Sequence, residues 1–141
     1  MSAESATPGV VERVREVFEA LSSGDFDTLT SLCQPDAIYE SVAMGATFEG
    51  VAAIRGFTED MVGAYDEFDA QLEENRDLGK GIGLAVVNQK GRLPGSSFEA
   101  SMRYAAVSAW AEGLLVRVTM YTDIDEGRAA AESLALEGLS K

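Results

Sequence analysis

The last third of the chain constrains the fold most. Apolar and polar side chains alternate from Phe98 to Trp110, Ala111-Glu112-Gly113 turns the chain, and Leu114 to Thr122 returns. Two alternating runs joined by a glycine-bearing turn predict a long β-hairpin. Side chains on a strand point alternately to opposite faces. One face therefore collects Phe98, Ala100, Met102, Tyr104, Ala106, Ser108 and Trp110, together with Leu114, Val116, Val118, Met120 and Thr122. The other carries Glu99, Arg103, Arg117 and Tyr121. The apolar set is expected to face helices and the charged set solvent or a partner. A bulge would shift this parity by one residue.

The helices that the apolar face needs lie upstream. Val10, Val14, Val17, Phe18 and Leu21 recur at three- and four-residue spacing, which predicts an amphipathic helix ended by Ser22-Ser23-Gly24. Asp25 is a good N-cap for a short second helix carrying Phe26, Leu29 and Leu32. Gln34-Pro35-Asp36 breaks it, and Ala37 to Val42 reads as a strand. Gly45 and Gly50 bracket a loop or short extended piece around Phe48. A third helix is expected over Val51 to Tyr65, with Ile54, Phe57 and Met61 on its buried stripe. Phe68 to Leu72 reads as a short strand, Asn75 to Lys80 as a turn, Ile82 to Gln89 as a strand, and Lys90 to Ser97 as a connecting loop. A last helix, Glu126 to Leu136, follows Asp125. Helices first and a strand meander afterwards indicate an α+β fold with no parallel βαβ unit. Met1 to Pro8 is expected to be a flexible tail, and residues 9–141 one domain.

Composition narrows the function. With no histidine, the commonest general acid/base and the commonest metal ligand are both missing. A net charge of -13 with scattered Lys and Arg argues against binding nucleic acid phosphates or anionic membranes. The single cysteine, Cys33, has no histidine to activate it and reads as a buried thiol. No export signal or membrane-length apolar run is visible, so a cytoplasmic location is expected. Gly79-Lys80-Gly81 lacks phosphate-loop spacing. The acidic clusters lack the spacing of a calcium loop, so neither a metal nor a cofactor is expected.

Four segments in order carry a family resemblance: VREVFEALSSGDFDTLTSL from Val14, PDAIYES from Pro35, FEGVAAIRGF from Phe48, and the hairpin MRYAAVSAWAEGLLVRVTMYTD from Met102. In these the chain resembles the NTF2-like superfamily and, within it, the SnoaL-like proteins. The resemblance implies a curved antiparallel sheet wrapped over three helices as a cone with an apolar cavity. It also implies homodimers through the sheet's outer face, here Glu99, Arg103, Arg117 and Tyr121. Members include polyketide cyclases, ketosteroid isomerases, epoxide hydrolases and non-catalytic modules, and fold does not choose among them.

The family's catalytic positions do. The cyclase histidine matches Ala106, and its acid partner falls near Thr119 or Met120. The isomerase base matches Ser41, its tyrosine Val17, and its second aspartate Ala106 again. Both proton-transfer sets are absent. For an epoxide hydrolase, Arg103 and Asp123 are the nearest candidates, and both fall on the outward set. The cavity is then expected to hold Tyr39, Ser41, Phe57, Thr58, Met61, Met102, Tyr104, Ala106, Ser108, Met120 and Thr122. Such a lining suits a hydrophobic small molecule oriented by a few hydrogen bonds. Tyr104 or Tyr39 would polarise a carbonyl in a cyclase or isomerase that works by shaping its substrate. The alternatives are a non-catalytic binding or dimerising module and an epoxide-opening enzyme.

Overall fold

The computed structural model describes residues 9–137; the tail expected at 1–8 lies outside them, as do residues 138–141. Three helices and two strands open the chain: α1 (Val10–Ser23), α2 (Phe26–Ser31), β1 (Cys33–Ser41), β2 (Ala46–Glu49) and α3 (Val51–Gly63). Four strands and a helix follow: β3 (Glu67–Gly79), β4 (Ile82–Arg92), β5 (Glu99–Ala111), β6 (Leu114–Tyr121) and α4 (Ile124–Glu137). Local chemistry sets several boundaries. Gly24 closes α1 in the left-handed conformation, with φ 72°. Asp25 caps α2 by accepting a hydrogen bond from the Thr28 N–H at 3.1 Å. At the hairpin turn Glu112 and Gly113 have φ of 55° and 81°, as a twist-compatible two-residue turn requires.

One curved sheet takes the strands in the order β2-β1-β6-β5-β4-β3. The architecture is α+β, but the sheet is mixed, not wholly antiparallel, because β1 pairs with β6 in parallel, Tyr39 opposite Val118 and Ser41 opposite Met120. A local reading of sequence sees hairpins. This parallel neighbour arrives only after α3 and the β3–β5 meander. The short strand and turn expected over Phe68 to Lys80 are one 13-residue strand, β3. Its register against β4 shifts between Leu72 and Glu74 and between Asp77 and Gly79. Such irregularities bend the sheet, and here they hide the alternation that would have revealed the strand.

The sheet separates two cores. Inside the curve, α1, α2 and α3 pack with β1 and the inward residues of β4, β5 and β6, including Phe18, Val87, Tyr104 and Trp110. Outside it, α4 covers Ile82, Leu84, Ala105, Val107 and Ala109. The helix approaches closely because Gly127 has no side chain: a Cβ there would lie 2.6 Å from the Cβ of Ala105. Tyr121 packs under this helix, and Arg117 bonds Glu40 of the same chain at 2.6 Å. That part of the outer face is occupied by the chain itself. No helix among the described residues is long and apolar enough to cross a membrane.

Candidate functional site

Alternation on the central strands carries side chains into the space beneath the helices. Ala85 on β4, and Tyr104, Ala106, Ser108 and Trp110 on β5, line a cavity with Tyr39 on β1. From above it is closed by Val14, Val17, Phe18 and Leu21 on α1, and by Ile54, Thr58 and Met61 on α3. On β6 the lining residues are Leu115, Val118 and Met120. Sequence parity had grouped Leu114 and Val116 with Val118. The register slips between Ala109 and Trp110, so Leu115 faces inward opposite Trp110.

The cavity encloses about 60 Å³. That is well under the ~300–1,000 Å³ usual for a pocket holding a drug-sized ligand. Ligands larger than a few heavy atoms would have to displace lining side chains. Met61 and Met120 are the unbranched thioethers best able to move.

No acid or basic side chain lines the cavity, so its polarity comes from hydroxyls. The Tyr104 hydroxyl donates to Gln89 Oε1 at 3.1 Å, which leaves its oxygen as an acceptor. Thr58 donates back to the Ile54 carbonyl at 2.9 Å. Ser108 Oγ accepts the Trp110 indole N–H at 2.8 Å. Tyr39 makes no hydrogen bond among the described residues, although burial pushes its pKa up to about 12. Its ring is held in place by Phe57, with centroids 5.1 Å apart, and by Phe48 at 6.0 Å. Tyr104 is shifted upward too, by burial first and then by the neighbouring Tyr39. Both phenols are therefore neutral donors or acceptors at ordinary pH and not bases. Burial raises the Cys33 thiol to about 11, which leaves it unreactive.

Of the residues expected in the cavity, Tyr39, Thr58, Met61, Tyr104, Ala106, Ser108 and Met120 lie together. Phe57 stands behind Tyr39 and outside the lining. Ser41 is buried, but its Oγ accepts the Met44 N–H at 3.2 Å and serves the β1–β2 turn. Met102 is 46% exposed beyond the cavity, and Thr122 lies on the outer side beside α4. Arg103 and Asp123 share that outer hollow, where Asp123 caps the Glu126 N–H, so no Asp-Arg set points inward. Sequence reading missed Gln89. It falls in phase with Ala85 and Val87 on β4, and that spacing was the available signal.

Comparison with known proteins places this geometry. The sequence profile of a SnoaL-like domain matches residues 14–118. No curated protein matches the chain in sequence. Among solved structures, a candidate polyketide cyclase from Sinorhizobium meliloti is 27% identical, with a TM-score of 0.65 over 77% of this chain and 93% of its own. A candidate SnoaL-like polyketide cyclase from Shewanella putrefaciens is 15% identical, with a TM-score of 0.71, covering 91% of this chain and 98% of its own. A protein of ketosteroid isomerase-like fold from Catenulispora acidiphila, solved with trimethylamine, is 16% identical with a TM-score of 0.72 over 91% of this chain and 95% of its own. The last two likenesses are of fold.

Proposed function

The chain belongs to the SnoaL-like domain family, and from that premise we propose that it binds a compact, neutral, mostly apolar carbonyl compound inside the cone. One observation carries the reading: Tyr39, partly buried, lines an apolar cavity and its hydroxyl makes no hydrogen bond among the described residues. A ligand oxygen entering beside this hydroxyl would accept a hydrogen bond that the apolar lining cannot offer. The uncharged lining selects a neutral ligand, because no opposite charge offsets the desolvation of an ion.

For turnover, the chemistry that fits is ring closure or isomerisation of a substrate held folded, with Tyr39 donating to the carbonyl. The likeness to the Sinorhizobium candidate polyketide cyclase favours this class. No lining group is a base, so the proton transfers must be ones that the substrate or water can perform.

Cyclohexanone and cyclohexane test the binding reading, since they differ by one acceptor oxygen. Titration followed by NMR should show cyclohexanone bound more tightly. Tyr39→Phe should cut its affinity by roughly 3- to 10-fold and leave cyclohexane unchanged. Equal binding of the two rings to the native protein would refute the role of Tyr39. Product formation from polyketide-like ketones tests turnover. Replacing both Tyr39 and Tyr104 by phenylalanine should slow it by more than about tenfold, whereas binding without product would mark a non-catalytic module.

A further inference from the structure

Tyr39 and Tyr104 are the two phenols of the cavity, and they are not equivalent. The Tyr39 hydroxyl makes no hydrogen bond among the described residues, so its proton is free. Tyr104 has committed its proton to Gln89 Oε1 at 3.1 Å. A hydroxyl has one proton to donate and two lone pairs to accept with. Tyr39 therefore meets a ligand as a donor and Tyr104 as an acceptor. Donation to the amide also polarises the Tyr104 oxygen and strengthens it as an acceptor.

Strand register sets the two apart. Across the inner face Tyr39 stands in a row with Val118 and Ser108, and the next row is Ser41, Met120 and Ala106. Tyr104 lies one row further, opposite Val87. The two rings thus rise from opposite corners of a patch floored by Val118, Met120 and Ala106, all of which line the cavity. They are close enough for Tyr39 to raise the Tyr104 pKa. Gln89 is buried one row beyond Tyr104, opposite Met102 and outside the cavity lining.

Resting on the carbonyl reading above, we propose that the cavity selects a cyclic hydroxyketone, whose carbonyl accepts from Tyr39 and whose hydroxyl, across the ring, donates to Tyr104. Gln89 sets this choice without touching the ligand. It holds the Tyr104 proton, so a second carbonyl at that place would meet a lone pair. Such a carbonyl is repelled, and it leaves water without finding a donor. A hydroxyl there gives its proton to the Tyr104 oxygen and keeps its hydrogen bond. The selectivity is for the oxidation state of one carbon: the alcohol is kept and the ketone refused.

The probes are 4-hydroxycyclohexanone and cyclohexane-1,4-dione, which differ only in the oxidation state of the carbon opposite the carbonyl. Both must displace Met61 or Met120 as cyclohexanone does, so that cost cancels in the comparison. In NMR titrations of the full chain, the hydroxyketone should bind roughly 3- to 10-fold more tightly than the dione. Gln89→Leu frees the Tyr104 proton to turn into the cavity. The dione should then gain roughly 3- to 10-fold in affinity while cyclohexanone stays unchanged. Looser packing alone would not raise the affinity of one ligand and spare the other. Tyr104→Phe removes donor and acceptor together, and the hydroxyketone should lose its advantage. The native ranking needs no variant, so a substitution that fails to fold does not shield the proposal. A native protein that binds the two equally, binds neither or prefers the dione would overturn it. So would a Gln89→Leu protein whose dione affinity stays at the native value. If cyclohexanone still binds above cyclohexane in those cases, the carbonyl reading stands and only the hydroxyl selection falls. Loss of that contrast would sink both.

Discussion

β4 and β5 build both faces of the sheet with the same alternation, yet the two faces are finished differently. Outside, Ile82 and Leu84 are sealed beneath α4, whose most buried positions are Gly127 and Ala131, flanked by Ile124 and Leu134. Small residues on the helix and on β5, Ala105 and Ala109, bring backbone close to backbone. Inside, large side chains meet across a concave surface: Phe18 and Met61 from the helices, Tyr104 and Trp110 from the strand. Rigid rings on a curved sheet cannot interdigitate as alanines do on a convex one, and a void remains. The outer face is packed closely; the inner one gives up packing and leaves a cavity.

The largest test of this contrast is truncation on each side. Leu84 is 1% exposed with neighbours all round, so Leu84→Ala should cost about 2–5 kcal/mol in urea unfolding. Met61 already borders empty space, so Met61→Ala should cost about 1–2 kcal/mol and enlarge the cavity. It should also tighten binding of ketones larger than cyclohexanone. Equal losses from the two substitutions would show the inner face to be as tightly packed as the outer.

Much of this contrast was legible in the sequence. Strand alternation placed Tyr104, Ala106 and Ser108 on one face of β5 and Arg103 on the other, because β5 runs without a bulge against β4. Helical spacing placed Val14, Phe18 and Leu21 together on α1. What stayed hidden was non-local. The slip opposite Trp110 that turns Leu115 inward depends on strand pairing and not on local composition. The parallel union of β1 with β6 joins segments far apart in the chain. Ser41 and Thr58 read as site hydroxyls by position, but each is bonded to its own backbone neighbourhood, a preference of short polar side chains that outcompetes outward display. Likewise, the acceptor that claims the Tyr104 proton is Gln89, fifteen residues upstream.

That bond separates the two cavity tyrosines in stability as well as in binding. Tyr104→Phe strands the Gln89 amide oxygen in a buried site and should cost about 1–3 kcal/mol. Tyr39→Phe breaks no hydrogen bond among the described residues and should change stability by less than about 0.5 kcal/mol while weakening ketone binding. Thermal unfolding of the two variants side by side reads the difference. A large loss from Tyr39→Phe would mean that its hydroxyl already has a partner and is not waiting for a ligand.

The smallest effects separate the faces by pH. Tyr39 is raised to about 12 and Cys33 to about 11, so cyclohexanone affinity should be flat from about pH 5 to 9 and fall only as these groups ionise. The outer helix behaves differently. Glu74 on β3 accepts two hydrogen bonds of 2.7 Å from Arg128 on α4, and this contact holds its pKa below the ordinary 4.5. A carboxyl whose folded pKa is depressed contributes stability that is present above its unfolded value and is lost as pH falls through the folded one. Acid below pH 4.5 should therefore loosen α4 first, seen as faster amide hydrogen exchange in that helix while the cavity still binds ketone. Because the pair is partly exposed, the accompanying shift in melting temperature should be a few degrees at most. In Arg128→Leu most of the acid-dependent part should disappear, since Glu74 then keeps only Arg76, 3.6 Å away on its own strand, and has no partner on α4. If acid abolished ketone binding before it freed α4, the inner face would contain a titrating group that its lining does not show, and the division between a sealed outer face and an uncharged inner one would fail.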